Sequence, residues 1–205
     1  MLLSTKVVIK LKPVLFFFLI LPSLFWFFKF FQGNFGVNPI DKLMDELGRF
    51  SLKLLILTLL VSSLSKYSKL RSLGSIRRMI GLFAFYYILL HFLSYIILDH
   101  FFNFEFILKD VTKRPFITLG FISFLLLLPL VFTSSDGMVK LLTFKVWKKI
   151  HYLIYIITPL AALHFYLLTK ADKTEPLIYL VIIVILLIFR LFSLAQKRLI
   201  NQSLS

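Results

Sequence analysis

Four histidines, His91, His100, His151 and His164, are the residues of this chain with the widest choice of chemistry. An imidazole can exchange protons near neutral pH or ligate a metal through either ring nitrogen. The chain has no cysteine, which excludes disulfides, thiolate metal sites, iron–sulfur clusters and covalent c-type haem attachment. Any metal chemistry must rest on His, Met, Tyr or carboxylates. His91 and His164 stand inside long apolar runs, where an ionisable side chain is costly and is by default a functional candidate.

Those runs set the class of the protein. Of 205 residues, 60% are hydrophobic and 25 are Phe, against roughly 45–50% apolar in a soluble domain. One small core cannot hide that excess, so lipid must solvate part of it. A helical crossing takes roughly 20 apolar residues. Spans are expected near 13–31, 50–64, 79–98, 116–133, 150–168 and 176–194, the second being the shortest. The ten-residue alternation of a membrane β-barrel is missing. The fold class expected is all-α: one integral membrane bundle of about six transmembrane helices over residues 1–205. Lys6, Lys10 and Lys12 precede the first run as in a secretory signal. That run is long, aromatic-rich and followed by Gln32-Gly33-Asn34-Phe35, so it reads as an uncleaved span.

The net charge of +15 falls in short clusters between the runs. Lys66, Lys69, Arg71, Arg77 and Arg78, then Lys140, Lys145, Lys148 and Lys149, then Lys197 and Arg198, share one side with the N-terminal lysines. All the acids except Asp136 take the other. Lys/Arg-rich loops stay cytoplasmic, so both termini are expected there. This spacing argues for topology and against nucleic acid. Phosphate-loop, dinucleotide and nucleophile-elbow motifs are absent, and all loops are short. Soluble partners must hold the ends of any electron path.

Depth pairs two of the histidines. At 1.5 Å per residue, His91 lies ~18 Å and His164 ~21 Å along parallel spans. A haem held edge-on between two helices needs one imidazole from each at one level. Ala84, Ser94 and Gly81 near His91, and Ala161 near His164, are small enough to admit a macrocycle, and Tyr87 and Tyr95 could pack on it or bind a propionate. His151, thirteen residues before His164, points about 140° away on an ideal helix, unless Pro159 kinks it. A second, inner site at His151 would face Arg77 and Arg78, which are not usual iron ligands but are candidate cofactor-binding residues there. His100 has no evident partner. Lys29 snorkels to the interface, Lys113 and Arg114 stop the fourth span or hold a propionate, and Arg190 is an interfacial anchor.

Arg77-Arg78-Met79-Ile80-Gly81-Leu82 through Tyr86, His91-Phe92, Tyr95 and Leu98-Asp99 is similar to the third span of the MsrQ (YedZ) family. Lys113-Arg114-Pro115-Phe116-Ile117-Thr118 with Gly120, Pro129-Leu130 and Thr133-Ser134 resembles its next segment. Trp147, His151, Tyr155 and His164-Phe165 resemble its fifth span, and Pro176-Leu177-Ile178-Tyr179 with Arg190 its last. Ser62-Ser63 replaces the family's Thr-Pro. The resemblance, from about Gly48 to Arg190, implies a ferric-reductase-like bundle holding haem b between the third and fifth helices. The family's ligand histidines correspond to His91, His151 and His164. It further implies a bacterial inner-membrane subunit taking electrons from the quinone pool or a cytosolic flavin reductase. Their acceptor would be a periplasmic molybdopterin subunit that reduces methionine sulfoxide in oxidised proteins, restoring an apolar side chain. FMN is also associated with the family, although no residue here places it. A stand-alone ferric reductase is the alternative, disfavoured because no NAD(P)H- or flavin-binding domain follows the sixth span. A small permease is another, disfavoured because internal repeats and broken helices are not evident.

Overall fold

The computed structural model describes residues 5–67 and 73–203. Helix α1 (Thr5–Phe31) is followed by α2 (Pro39–Tyr67) and by α3 (Leu73–Ser94), which runs on into a π turn (Tyr95–Asp99). Then come α4 (Phe104–Lys113), α5 (Pro115–Phe132), α6 (Asp136–His151), α7 (Ile154–Leu168) and α8 (Thr174–Ser203). The described residues contain no strand. Six stretches are long and apolar enough to cross a membrane: Lys10–Phe31, Pro39–Leu64, Ile76–Asp99, Pro115–Phe132, Asp136–Leu168 and Thr174–Phe192. The chain is an all-α, multi-pass membrane protein.

Three elements depart from the expected spans. The second helix starts at Pro39, well before residue 50, because its polar first half satisfies itself. Lys42 pairs with Glu46 at 3.1 Å and Arg49 with Asp45 at 2.5 Å, each one turn apart, and proline at the first helical position gives up no hydrogen bond. Helices α4 and α6 occupy stretches expected to be loops. Their start signals are local: Asn103 accepts the N–H of Phe106 and Ser135 that of Met138, the side-chain capping that replaces missing intrahelical partners.

The core is two hairpins packed together, α2 with α3 and α5 with α7. Leu43, Leu47, Leu55, Tyr87 and Ile157 are fully buried in it. Helix α1 leans on the first hairpin. The Tyr87 hydroxyl donates to the Leu19 carbonyl at 2.5 Å and accepts from the Ser23 amide at 3.2 Å. Helix α8 covers α7 and α2 through Ile183, Leu52 and Ala162. Phe17, Phe18 and Phe28 of α1 and Leu191 and Phe192 of α8 are exposed, a surface suited to lipid.

The two hairpins are copies of one another, contrary to the expectation that no repeat exists. Leu47-Gly48-x-x-Ser51 and Ser62-Ser63 recur as Leu119-Gly120-x-x-Ser123 and Ser134-Ser135, and Leu90-His91-Phe92 recurs as Leu163-His164-Phe165. The offset is 72 residues in the first helix of each hairpin and 73 in the second.

Candidate functional site

The repeat builds a cavity with matching halves. His91 of α3 and His164 of α7 both line it, and its volume is about 160 Å³. His91 Nδ1 lies 2.8 Å from the Met44 carbonyl oxygen, and His164 Nδ1 lies 2.6 Å from that of Phe116. A carbonyl only accepts, so each Nδ1 carries the proton and each Nε2 keeps its lone pair. Neither Nε2 has a hydrogen-bond partner among the described residues. This is how metal-ligating histidines are usually oriented.

Glycine makes that geometry accessible. Met44 and Phe116 stand one turn before Gly48 and Gly120. A Cβ on Gly48 would lie 3.2 Å from the His91 ring, and one on Gly120 would lie 2.9 Å from His164 Nδ1. A side chain at position 120 would force the imidazole to shift, and one at position 48 would need it to give by a few tenths of an ångström. These two glycines, not Gly81, Ala84 or Ser94, are the small residues that matter to the rings. Gly81 faces Thr58, and Ala84 lies in the core.

The ring centroids of His91 and His164 are 6.4 Å apart, with planes at 79°. A ring nitrogen lies about 1.1 Å from its centroid and binds a metal at roughly 2.0–2.1 Å, so collinear axial imidazoles put their centroids about 6.3 Å apart. The spacing fits one shared metal. No cluster of three or more His, Cys, Asp or Glu suited to a metal exists among the described residues. Two imidazoles alone fit a metal that brings its own equatorial ligands, as haem iron does. The surrounding wall is apolar and aromatic, with Phe92 stacked on Phe124 at 4.4 Å.

One basic side chain lines this cavity, Arg49, which the sequence reading passed over. It donates to Glu175 at 3.1 Å and to Asp45 at 2.5 Å. Lys113 and Arg114, expected either to stop the fourth span or to hold a propionate, do not line the cavity, and Arg114 instead pairs with Asp110 at 3.3 Å. Tyr95 lines it and Tyr87 does not, since the Tyr87 hydroxyl is turned to α1.

A second cavity lies toward the opposite, lysine-rich end, lined by Arg77, Arg78, Trp147, His151 and Arg190 among others. His151 Nδ1 is 3.1 Å from the Trp147 carbonyl oxygen, and its ring stacks on the Trp147 indole at 4.0 Å. Arg78, like His151, stands thirteen residues before the Leu-His-Phe histidine of its hairpin, so the repeat sets an arginine where a second imidazole would be needed. Arg78 pairs with Asp136 at 2.6 Å, and Arg77 reaches Ser62 at 3.3 Å. Arg190, expected to be an interfacial anchor, lines the cavity, and its buried Nε has no hydrogen-bond partner among the described residues. Thr143 (φ 61°, ψ 148°) breaks α6 just before Phe144 and Trp147, a strained backbone for a β-branched residue.

His100 has partners after all. Its ring packs edge-on against Tyr95 with centroids 4.4 Å apart, and its Nε2 is 3.5 Å from Asp110. Lys29 sits over the Phe25 ring at 4.7 Å.

Residues 47–162 match the family described as Ferric reductase like transmembrane component. The chain is 44% identical over 162 residues to the protein-methionine-sulfoxide reductase heme-binding subunit MsrQ of Caulobacter vibrioides, covering 79% of this chain and 77% of that protein. It is also 44% identical, over 172 residues, to the MsrQ of Herminiimonas arsenicoxydans, covering 83% and 79%. Magnetosome protein MamZ of Magnetospirillum gryphiswaldense is 39% identical over 163 residues, 80% of this chain but 25% of that longer protein. Two copies of a glycine-padded histidine, facing each other across an apolar cavity, thus occur in a chain that belongs to the ferric reductase-like transmembrane family and, within it, to the MsrQ family.

Proposed function

We propose that this chain holds haem b between His91 and His164 and carries electrons across the bacterial inner membrane, from the lysine-rich cytoplasmic face to the periplasm. The observation that carries this reading is the pair of imidazoles 6.4 Å apart, each oriented by a backbone carbonyl. Haem supplies one-electron chemistry. His91 and His164 would both hold the group, and with both imidazoles engaged it would serve electron transfer and not substrate binding. The apolar wall excludes water, and Arg49 is the cation available to a propionate.

The cavity around His151 is the entry side. His151 offers one imidazole and no imidazole opposite, while Arg77, Arg78 and Arg190 offer guanidinium donors for a carboxylate, phosphate or carbonyl. That set suits a quinol head group, FMN delivered by a cytosolic flavin reductase, or a second haem with a single protein ligand. The acceptor is a periplasmic molybdopterin-containing methionine sulfoxide reductase subunit, in keeping with the names of the MsrQ relatives. The absorbance spectrum of detergent-purified protein, reduced minus oxidised, tests the reading. A b-type α-band is expected in the wild type and in His151→Ala, and its loss in His91→Ala and in His164→Ala. A colourless wild type grown with ample haem would sink it.

A further inference from the structure

The repeat shows which features belong to one half alone. Tyr95 and its mate Leu168 both line the first cavity, but only Tyr95 leads to a polar cluster. Its hydroxyl is 3.5 Å from Asp110 Oδ2, and its ring meets that of His100. Asp110, with a side chain 9% exposed, is a buried carboxylate, and His100, 14% exposed, lies between Asp110 at 3.5 Å and Asp99 at 3.7 Å. The His100 Nε2 is buried without a hydrogen-bond partner among the described residues. The backbone is unusual here as well. The π turn Tyr95–Asp99 carries Tyr95, and Phe101 and Phe102 have φ of 47° and 61°; π turns and strained residues of this kind gather at functional sites.

We propose that His100 and Asp110 form a proton-binding site coupled to the electron occupancy of the His91–His164 cavity. This rests on the haem reading above. The groups facing the site are Tyr95 and Asp99 from the end of α3, and Asp110 and Arg114 from the end of α4, with the Phe106 ring 5.9 Å from that of His100. With a neutral imidazole the two carboxylates and one guanidinium leave an excess negative charge, which a proton cancels. An electron entering the cavity adds another negative charge on the far side of the Tyr95 ring. Unit charges of the order of 10 Å apart at an effective dielectric constant of about 20 bias one another roughly tenfold. The electron comes from the donor at the lysine-rich end and the proton from the acidic-end solution, forming only an N–H or O–H bond. Both depart when the electron passes outward, toward a sulfoxide reduction that consumes protons.

The test is a redox titration of the α-band of the purified full chain from about pH 5 to 8. The wild-type midpoint should fall as pH rises, by about 59 mV over the whole transition, the equivalent of a tenfold bias on one electron, with roughly half a proton per electron at the inflection. The slope should fall by at least half in His100→Gln and in Asp110→Asn, with the band position unchanged. Arg114 is half exposed, so Arg114→Gln tests the site without disturbing packing. Losing that positive charge tightens proton binding and should move the inflection to higher pH. A pH-independent wild-type midpoint, a slope that survives both cluster substitutions, or an inflection unmoved by Arg114→Gln overturns the coupling while leaving the haem reading intact. Absence of the α-band in the wild type overturns both.

Discussion

The two cavities are laid out on one repeat, yet only one of them is symmetrical. Around His91 and His164 every structural device occurs twice: the carbonyl acceptor, the glycine one turn on, the serine three residues later. Around His151 the devices occur once, and Arg78 stands where the mate should be. Symmetry suits a two-faced macrocycle with identical axial bonds. Its absence suits a site that must take up a molecule with a charged end and later release it. The fold thus keeps one cavity alike in its two halves and lets the other diverge.

That contrast can be broken most sharply at the glycines. In Gly120→Ala a Cβ 2.9 Å from His164 Nδ1 must displace the imidazole from the Phe116 carbonyl. Loss of an orienting partner of this kind costs roughly 10–100-fold in metal affinity, read as haem retained per protein after purification. Gly48→Ala, with 3.2 Å to the His91 ring, should show a loss of a few fold in the same measurement. Equal retention in both variants and the wild type would mean that the glycines do not govern the rings.

At the second cavity, Arg190→Leu removes the buried donor that lacks a partner. Donor-driven reduction should slow by about tenfold, the effect of one lost charge-assisted hydrogen bond of ~1.5 kcal/mol, while the dithionite-reduced spectrum is unchanged. A shift of that spectrum would show that the two cavities are not independent. The smallest effect is expected from Arg49→Gln. Losing a positive charge beside the first cavity disfavours the electron-rich state, so the midpoint should fall by tens of millivolts, where 59 mV is tenfold for one electron. No shift would remove Arg49 from the account of the propionates.

Much of the scaffold was legible. Six apolar runs correspond to the six stretches long and apolar enough to cross a membrane, and His91 and His164, at like depth along parallel runs, line one cavity, with His151 in another. The glycine pads were not legible, because the residues that seat each imidazole belong to a different helix 43 or 44 residues earlier in the chain. Arg49 carries no signal of a site, because it stands one residue before the second apolar run among charged neighbours that read as loop. Arg190 sits among apolar residues that gave no hint of a cavity. The repeat itself was written in the sequence as Leu-Gly-x-x-Ser, Ser-Ser and Leu-His-Phe. The spacing from glycine to histidine, 43 residues in one half and 44 in the other, keeps the period regular, and only the small number of shared residues makes it faint.

No wall residue of either cavity comes from α1. That helix is tied to the first hairpin by the Tyr87 hydroxyl, a single turn away from His91 on the same rod, by Ser23 against Tyr86, and by Leu19, Phe16 and Trp26 packed on the core. The first span is therefore a brace: it shields the back of the α3 rod from lipid without forming either cavity. Tyr87→Phe would remove one of its ties while every wall residue of both cavities stayed in place.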